Sequence, residues 1–152
     1  MSWKSDSVLE KLSTAALLHD ISFEDDDMAR KHDLEHPSRW NPSEKNYFEK
    51  QPLESSKLSR NLQGLPPDID SMIGSHHELP SGKGYPKGVG ALQISQISAL
   101  FNIAQDIVHV LFQNELDPKA ILDYTNAKAE LFQKGNYKQP FSTIDQYFKN
   151  LT

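Results

Sequence analysis

An all-α, single-domain fold is what this sequence predicts, on three observations. Apolar residues recur at three- and four-residue spacing through most of the chain. The candidate helix starts carry matching chemistry, as at Asn41, Pro42 and Glu44, where a cap, an N1 proline and an N3 acid stand in order. No stretch alternates apolar and polar residues over a useful strand length, and neither an internal repeat nor an interdomain linker interrupts the pattern. A chain of 152 residues is long enough to bury one substantial core.

The elements follow in order. Val8, Leu9, Leu12, Ala15, Ala16 and Leu18 form a first helical face that runs into His19 and Asp20. From Ile21 to Asn41 the pattern gives way to acidic, histidine- and proline-containing sequence. Its run from Glu24 to Asp27 reads as a solvated loop or a short helix. The Asn41 cap opens a second helix through Tyr47 and Phe48, and Leu65, Pro66 and Pro67 punctuate the chain again. Ile69, Met72, Ile73 and His76 make an i, i+3, i+4, i+7 stripe. That spacing predicts a third helix with His76 on its apolar face and His77 about 100° round the axis. After a glycine-containing loop comes the strongest pattern, Ile94, Ile97, Phe101, Ala104, Val108 and Leu111 flanked by Leu100, Ile103 and Ile107, which predicts a central helix. Asp117 and Pro118 start another, with Ile121, Leu122, Leu131 and Phe132 as core candidates. Gly135 and Asn136 break it, and Ser142 is the candidate cap of a last helix bearing Ile144, Tyr147, Phe148 and Leu151.

Charge and composition narrow the partners. Sixteen Lys and Arg against 21 Asp and Glu leave a formal net charge of −5, which offers no broad footprint for duplex nucleic acid. The chain has no cysteine, so disulfides and thiolate metal sites are excluded, and a reducing, cytoplasmic setting is expected. Its apolar runs, such as Ala15 to Leu18, fall far short of the roughly 20 residues that cross a bilayer, so no membrane insertion of this segment is expected.

Several polar clusters are candidates for chemistry. Imidazole and carboxylate groups are ordinary ligands for zinc, iron or manganese, and two helices that end in such residues can converge on an ion. His19-Asp20 is one such pair, although a capped helix end reads the same way. His76-His77-Glu78 beside a glycine loop is harder to explain by packing, though a surface pair remains open. His32 and His36 stand i, i+4, but their acidic setting favours solvated histidines, and His109 reads as a helix-surface residue.

Taken in order, these residues resemble a family. AALLHDIS at 15–22 resembles the helix that gives HD-domain phosphohydrolases their name, and HHELPSGKGYP at 76–86 is similar to the HD-GYP signature, HHE followed by a loop that ends G-x-G-Y-P. IAQDIVHVL at 103–111 lies where that family has a helix with a metal-binding aspartate. The resemblance extends over residues 1–152 as an HD-domain-like helical bundle lacking the family's first helices: only 18 residues precede His19, so the chain is expected either to be a fragment of a longer protein or to have dispensed with an earlier ligand-bearing helix. It implies a bacterial, metal-dependent phosphodiesterase (hydrolase) acting on cyclic di-GMP in signalling, with iron or manganese as cofactor. His19, Asp20, His76 and His77 would bind the metal, and Gly82, Gly84, Tyr85 and Pro86 would form a loop beside the substrate that also contacts diguanylate cyclase domains. Such ions polarise phosphoryl oxygens and acidify a bound water.

The departures from the pattern point the other way. The family's HD-x-G-K lysine corresponds to Phe23, with Ser22 before it. Its histidine before proline in the second helix corresponds to Gln51 before Pro52. The late aspartate falls on Gln105, or on Asp106 after a one-residue shift that turns the side chain by about 100°. Ser81 and Ala99 replace a further aspartate and an arginine. Losing a group that stabilises developing charge costs roughly 10² to 10³ in rate. The resulting expectation is a degenerate HD-GYP domain that senses a nucleotide, cyclic di-GMP or a relative, or binds a protein, with weak or no hydrolysis. The alternatives are an active phosphodiesterase and a pure interaction scaffold.

Overall fold

The computed structural model describes residues 5–35, 37–117 and 119–150, apart from the Leu34 side chain. It is all-α, as the sequence predicts: among the described residues the single β feature is an isolated bridge between Ser81 and Gly90. The chain divides into two compact units, one ending at His77 and the other beginning at Glu78.

Among its described residues the first unit holds four α-helices and a 3₁₀ turn, Pro37–Arg39. α1, Asp6–Leu18, starts at the Ser5 cap, and its predicted inner face places Val8 and Ala15 in the core. The acidic run is the start of a helix: Asp25 caps α2, Asp26–Leu34, and Asp26 and Asp27 occupy its first turn, where the amide dipoles favour negative charge. α3, Pro42–Arg60, opens with the capping box expected at Asn41 and Glu44. The Glu44 carboxylate also accepts from Lys31 Nζ at 2.7 Å, and that ammonium holds it below the usual carboxylate range. Pro52 lies inside α3 and cannot donate to the Phe48 carbonyl, yet the helix continues with both side chains buried. The third predicted helix is shorter than its apolar stripe. α4, Ile69–Ile73, ends before His76, which lies in a following turn with its side chain still buried. α4 packs on both α1 and α3.

In the second unit α5, Gln96–Gln113, is capped by Ser95 and packs on α6, Lys119–Phe132, and α7, Lys138–Lys149. The core gathers Ala99, Ile103 and Ile107 of α5 with Ile121, Phe132, Tyr137 and Phe141. The Asp117 side chain accepts from Lys119 N at 3.0 Å, consistent with its expected capping role, while Pro118 lies outside the described residues, as does Leu151. Ser142 is not a cap. The last helix begins at Lys138, directly after the 3₁₀ turn Gly135–Tyr137, and tolerates Pro140 in its first turn because an N–H there has no helical acceptor.

Candidate functional site

His19 caps the C-terminus of α1, its N–H bonding the Ala15 carbonyl, and a tight turn follows through Phe23. The His19 Nδ1 atom faces the Ala16 carbonyl at 2.9 Å. A carbonyl only accepts, so Nδ1 carries a proton, and Nε2 lies 3.3 Å from Asp20 Oδ2. His76 repeats the arrangement after α4. Its Nδ1–H donates to the Ile73 carbonyl, and its Nε2, with no hydrogen-bond partner, lies 3.8 Å from Asp20 Oδ1. Burial lowers the His76 pKa to about 3, so the ring is neutral and Nε2 is an acceptor only. The His19 and His76 ring centroids are 5.3 Å apart, and those of His76 and His77 are 4.0 Å apart. His19 and His76 therefore both approach the Asp20 carboxylate in the first unit, and the His77 ring lies beside His76.

Gln51 reaches the same carboxylate from α3. Its Nε2 donates to Asp20 Oδ1 at 2.8 Å, to the His19 carbonyl at 2.9 Å and to Ser55 Oγ at 3.0 Å. Three acceptors around one atom identify it as the amide nitrogen. Ser55 Oγ in turn donates to Ser22 Oγ, and Ser22 Oγ to the Gln51 carbonyl. The turn after His19 is thus tied to α3 by a closed set of polar contacts. On the far side of Gln51, Oε1 is buried and has no hydrogen-bond partner.

His32 departs from the expectation of a solvated histidine. It is 7 % exposed, stacked on Trp40 at a centroid distance of 5.5 Å, and in contact with Phe23, Phe48 and His77 at 5.4, 5.1 and 4.7 Å. The reason is geometric: in α2, Met28 and Ala29 lie four and three residues before His32 and share its face. That short stripe was the sequence signal. His36, its expected partner, lies outside the described residues. Phe23, at the position where the family resemblance expects a lysine, is part of this aromatic cluster.

In the second unit Glu78 serves the loop. Its buried carboxylate accepts Lys87 N at 2.7 Å and Val89 N at 3.0 Å, and its carbonyl accepts from Asn102 Nδ2 and Tyr137 Oη. Gly82 and Gly88 both adopt positive φ, and a Cβ on Gly82 would come within 3.3 Å of the Gly88 carbonyl oxygen, so the two strands of the loop approach where only glycine fits easily. Gly84, Tyr85 and Pro86 ride on this clamped loop, each half-buried. Farther along, Asp106 accepts from Tyr124 Oη at 2.8 Å, which commits it to α6, and burial raises its pKa. The Gln105 Oε1 atom is buried without a hydrogen-bond partner. His109 is half-buried on α5.

A family model described as the HD domain matches residues 3–129. The chain belongs to the HD-domain family. No curated protein matches the chain, and no solved structure does. As an HD domain it falls in a superfamily of phosphohydrolases that commonly bind divalent metals. Two atoms bound to one transition-metal ion at about 2.1 Å lie at most roughly 4.2 Å apart. The contacts of Asp20 with His19 and with His76 both satisfy that limit. They use different carboxylate oxygens, however, and one of these already accepts the Gln51 amide. Among the described residues no group of three or more His, Asp or Glu side chains is placed to hold a metal ion. Catalytic zinc sites use three protein ligands, and the described residues present pairs of donors around Asp20. No helix among the described residues is long and apolar enough to cross a membrane.

Proposed function

We propose that this HD domain is a degenerate member of the HD-GYP group, working in bacterial cyclic di-GMP signalling as a cytoplasmic nucleotide sensor or protein-interaction module with weak or no hydrolysis. The observation that supports it best is the Gln51 amide on Asp20 Oδ1, a neutral donor where a hydrolytic centre needs a cation. In this reading His19, Asp20, His76 and His77 hold a single weak Fe or Mn ion or none, and Gly82, Gly84, Tyr85 and Pro86 form the surface that meets the nucleotide or a diguanylate cyclase domain. Hydrolysis by the metal route requires an acidified water and neutralised phosphoryl oxygens, and two separate donor pairs supply little of either. The test is paired: calorimetric titration of the chain with cyclic di-GMP, and turnover of the same nucleotide with Fe²⁺ or Mn²⁺ under reducing conditions. Binding with turnover lower by about 10² or more than that of a complete site is expected. Efficient turnover establishes instead the second reading, an active phosphodiesterase, which the approach of His19 and His76 to Asp20 favours.

A further inference from the structure

We infer that Lys83 and Lys87, which flank the tip of the loop clamped by Glu78, form a site for a phosphate monoester, the dianionic terminal phosphate of a nucleotide, in preference to a cyclic phosphodiester. The inference goes beyond the proposed function and does not rest on it, since it concerns two side chains of the second unit and a different phosphate ester.

The loop is positive in a chain whose formal net charge is −5, and between Glu78 and Asp106 the two lysines are the only charged side chains. Glu78 itself is buried and gives its carboxylate oxygens to backbone N–H groups, one of them that of Lys87 at 2.7 Å. The Lys83 N–H donates to Ser81 Oγ at 3.3 Å, so both lysines start from a held backbone. Ser81 and Gly90 bridge the two limbs. The backbone on either side of Lys83 also meets Gly88, the residue after Lys87: a Cβ on Gly88 would lie 3.2 Å from the Gly82 carbonyl oxygen and 3.9 Å from that of Gly84. Both lysines are exposed, and among the described residues neither has an ion-pair partner. Like charges on facing limbs repel. An anion between them removes the repulsion and is attracted by both.

The charge of the pair selects the ligand. Two ammonium groups match the charge of about −2 that a terminal phosphate carries above its second pKa, near about 6. A phosphodiester or a carboxylate carries a single negative charge. Lysine binds phosphate as a point charge, and Gly82, Gly84 and Gly88 beside the two lysines leave the backbone open to close approach by a compact anion. In water, one further unit of ligand charge about 4 Å from an ammonium is worth a factor of about 5 in affinity.

The experiment titrates the full chain by calorimetry at low ionic strength with GMP, 3′,5′-cyclic GMP, guanosine and inorganic phosphate. Near pH 7.5 GMP is expected to bind about fivefold or more tightly than cyclic GMP, with guanosine weaker than either. Near pH 5.5 most of that ratio should disappear, because GMP takes up its second phosphate proton at about pH 6 and cyclic GMP has none to take up. Lys83→Gln with Lys87→Gln should bring GMP to the level of cyclic GMP, whereas Lys83→Arg with Lys87→Arg should keep the preference. Lys45→Gln with Lys50→Gln, a change of equal charge at exposed positions of the first unit, should also keep it. Circular dichroism checks the fold of each variant, and if the glutamine pair does not fold, the ester and pH comparisons on the unsubstituted chain decide. Inorganic phosphate binding as tightly as GMP supports the site and assigns it to the phosphate alone; tighter GMP supports it and assigns a nucleotide. Equal affinity for GMP and cyclic GMP near pH 7.5 overturns the inference, as does a preference that survives the glutamine pair or is lost equally in the Lys45 and Lys50 variant.

Discussion

Glu78 stands next to two histidines in the sequence, and ligand chemistry is the natural first reading of such a triplet. Folding gives its carboxylate two backbone N–H groups of the following loop. Glu78→Ala would remove a buried carboxylate that accepts from two part-buried N–H groups, at a cost of roughly 1 to 3 kcal/mol. Urea unfolding of the variant measures the loss, and hydrogen exchange should lose protection at Lys87 and Val89 first. His32 shows the converse error, a polar residue in an acidic segment that packs among aromatic rings. Both cases have one cause. A residue type fixes which contacts are chemically available, but the partners of Glu78 are 9 and 11 residues away and those of His32 as far as His77. Gln51 was readable as a change of ligand chemistry, whereas its hold on Asp20, 31 residues earlier, was not.

At the scale of elements, local signals were reliable where the physics is local. The Asn41 capping box closes within four residues and was legible in full. The apolar stripe of α5 predicted its helix but only part of its buried face: Ile97, Phe101, Ile103 and Ile107 are buried, whereas Val108 is exposed and Ala99 and Asn102 are buried instead. α4 was misjudged in length because the stripe at Ile69, Met72, Ile73 and His76 records which side chains are buried, not whether the backbone between them stays helical. The 3₁₀ turn before α7 shows a junction that only packing defines. Gly135 has a φ of +50°, and a Cβ there would lie 2.8 Å from the Ala91 backbone, while Asn136 N and Nδ2 bond the carbonyls of Ala91 and Ile94. Gly135→Ala is expected to destabilise the second unit by about 2 kcal/mol or more, from left-handed backbone cost and the collision together. Thermal unfolding followed by circular dichroism checks this.

For the molecule as a whole, the buried neutral His76 predicts a pH dependence of stability. Its folded pKa, about 3, lies below the ordinary 6.5, so the unfolded chain binds a proton that the folded chain refuses. The contribution is fully present above pH 6.5 and is lost progressively as pH falls from 6.5 toward 3. At pH 5 the loss is about 2 kcal/mol relative to pH 7. Asp106, whose pKa burial raises, acts with the opposite slope in the acid range, because its folded form holds the proton longer. Denaturant midpoints across pH 4.5 to 7.5 should therefore flatten in His76→Gln, and an unchanged slope in that variant would refute the assignment. The sequence by itself determined the helical class, a few helix ends such as the Asn41 cap, and the residue types available for chemistry, because periodicity and capping act over a few residues. Only the tertiary structure decided which polar groups face which: the Gln51 amide on Asp20, His76 buried and neutral, Glu78 turned to its loop. Those outcomes depend on burial and on contacts between distant segments, and no local pattern encodes them.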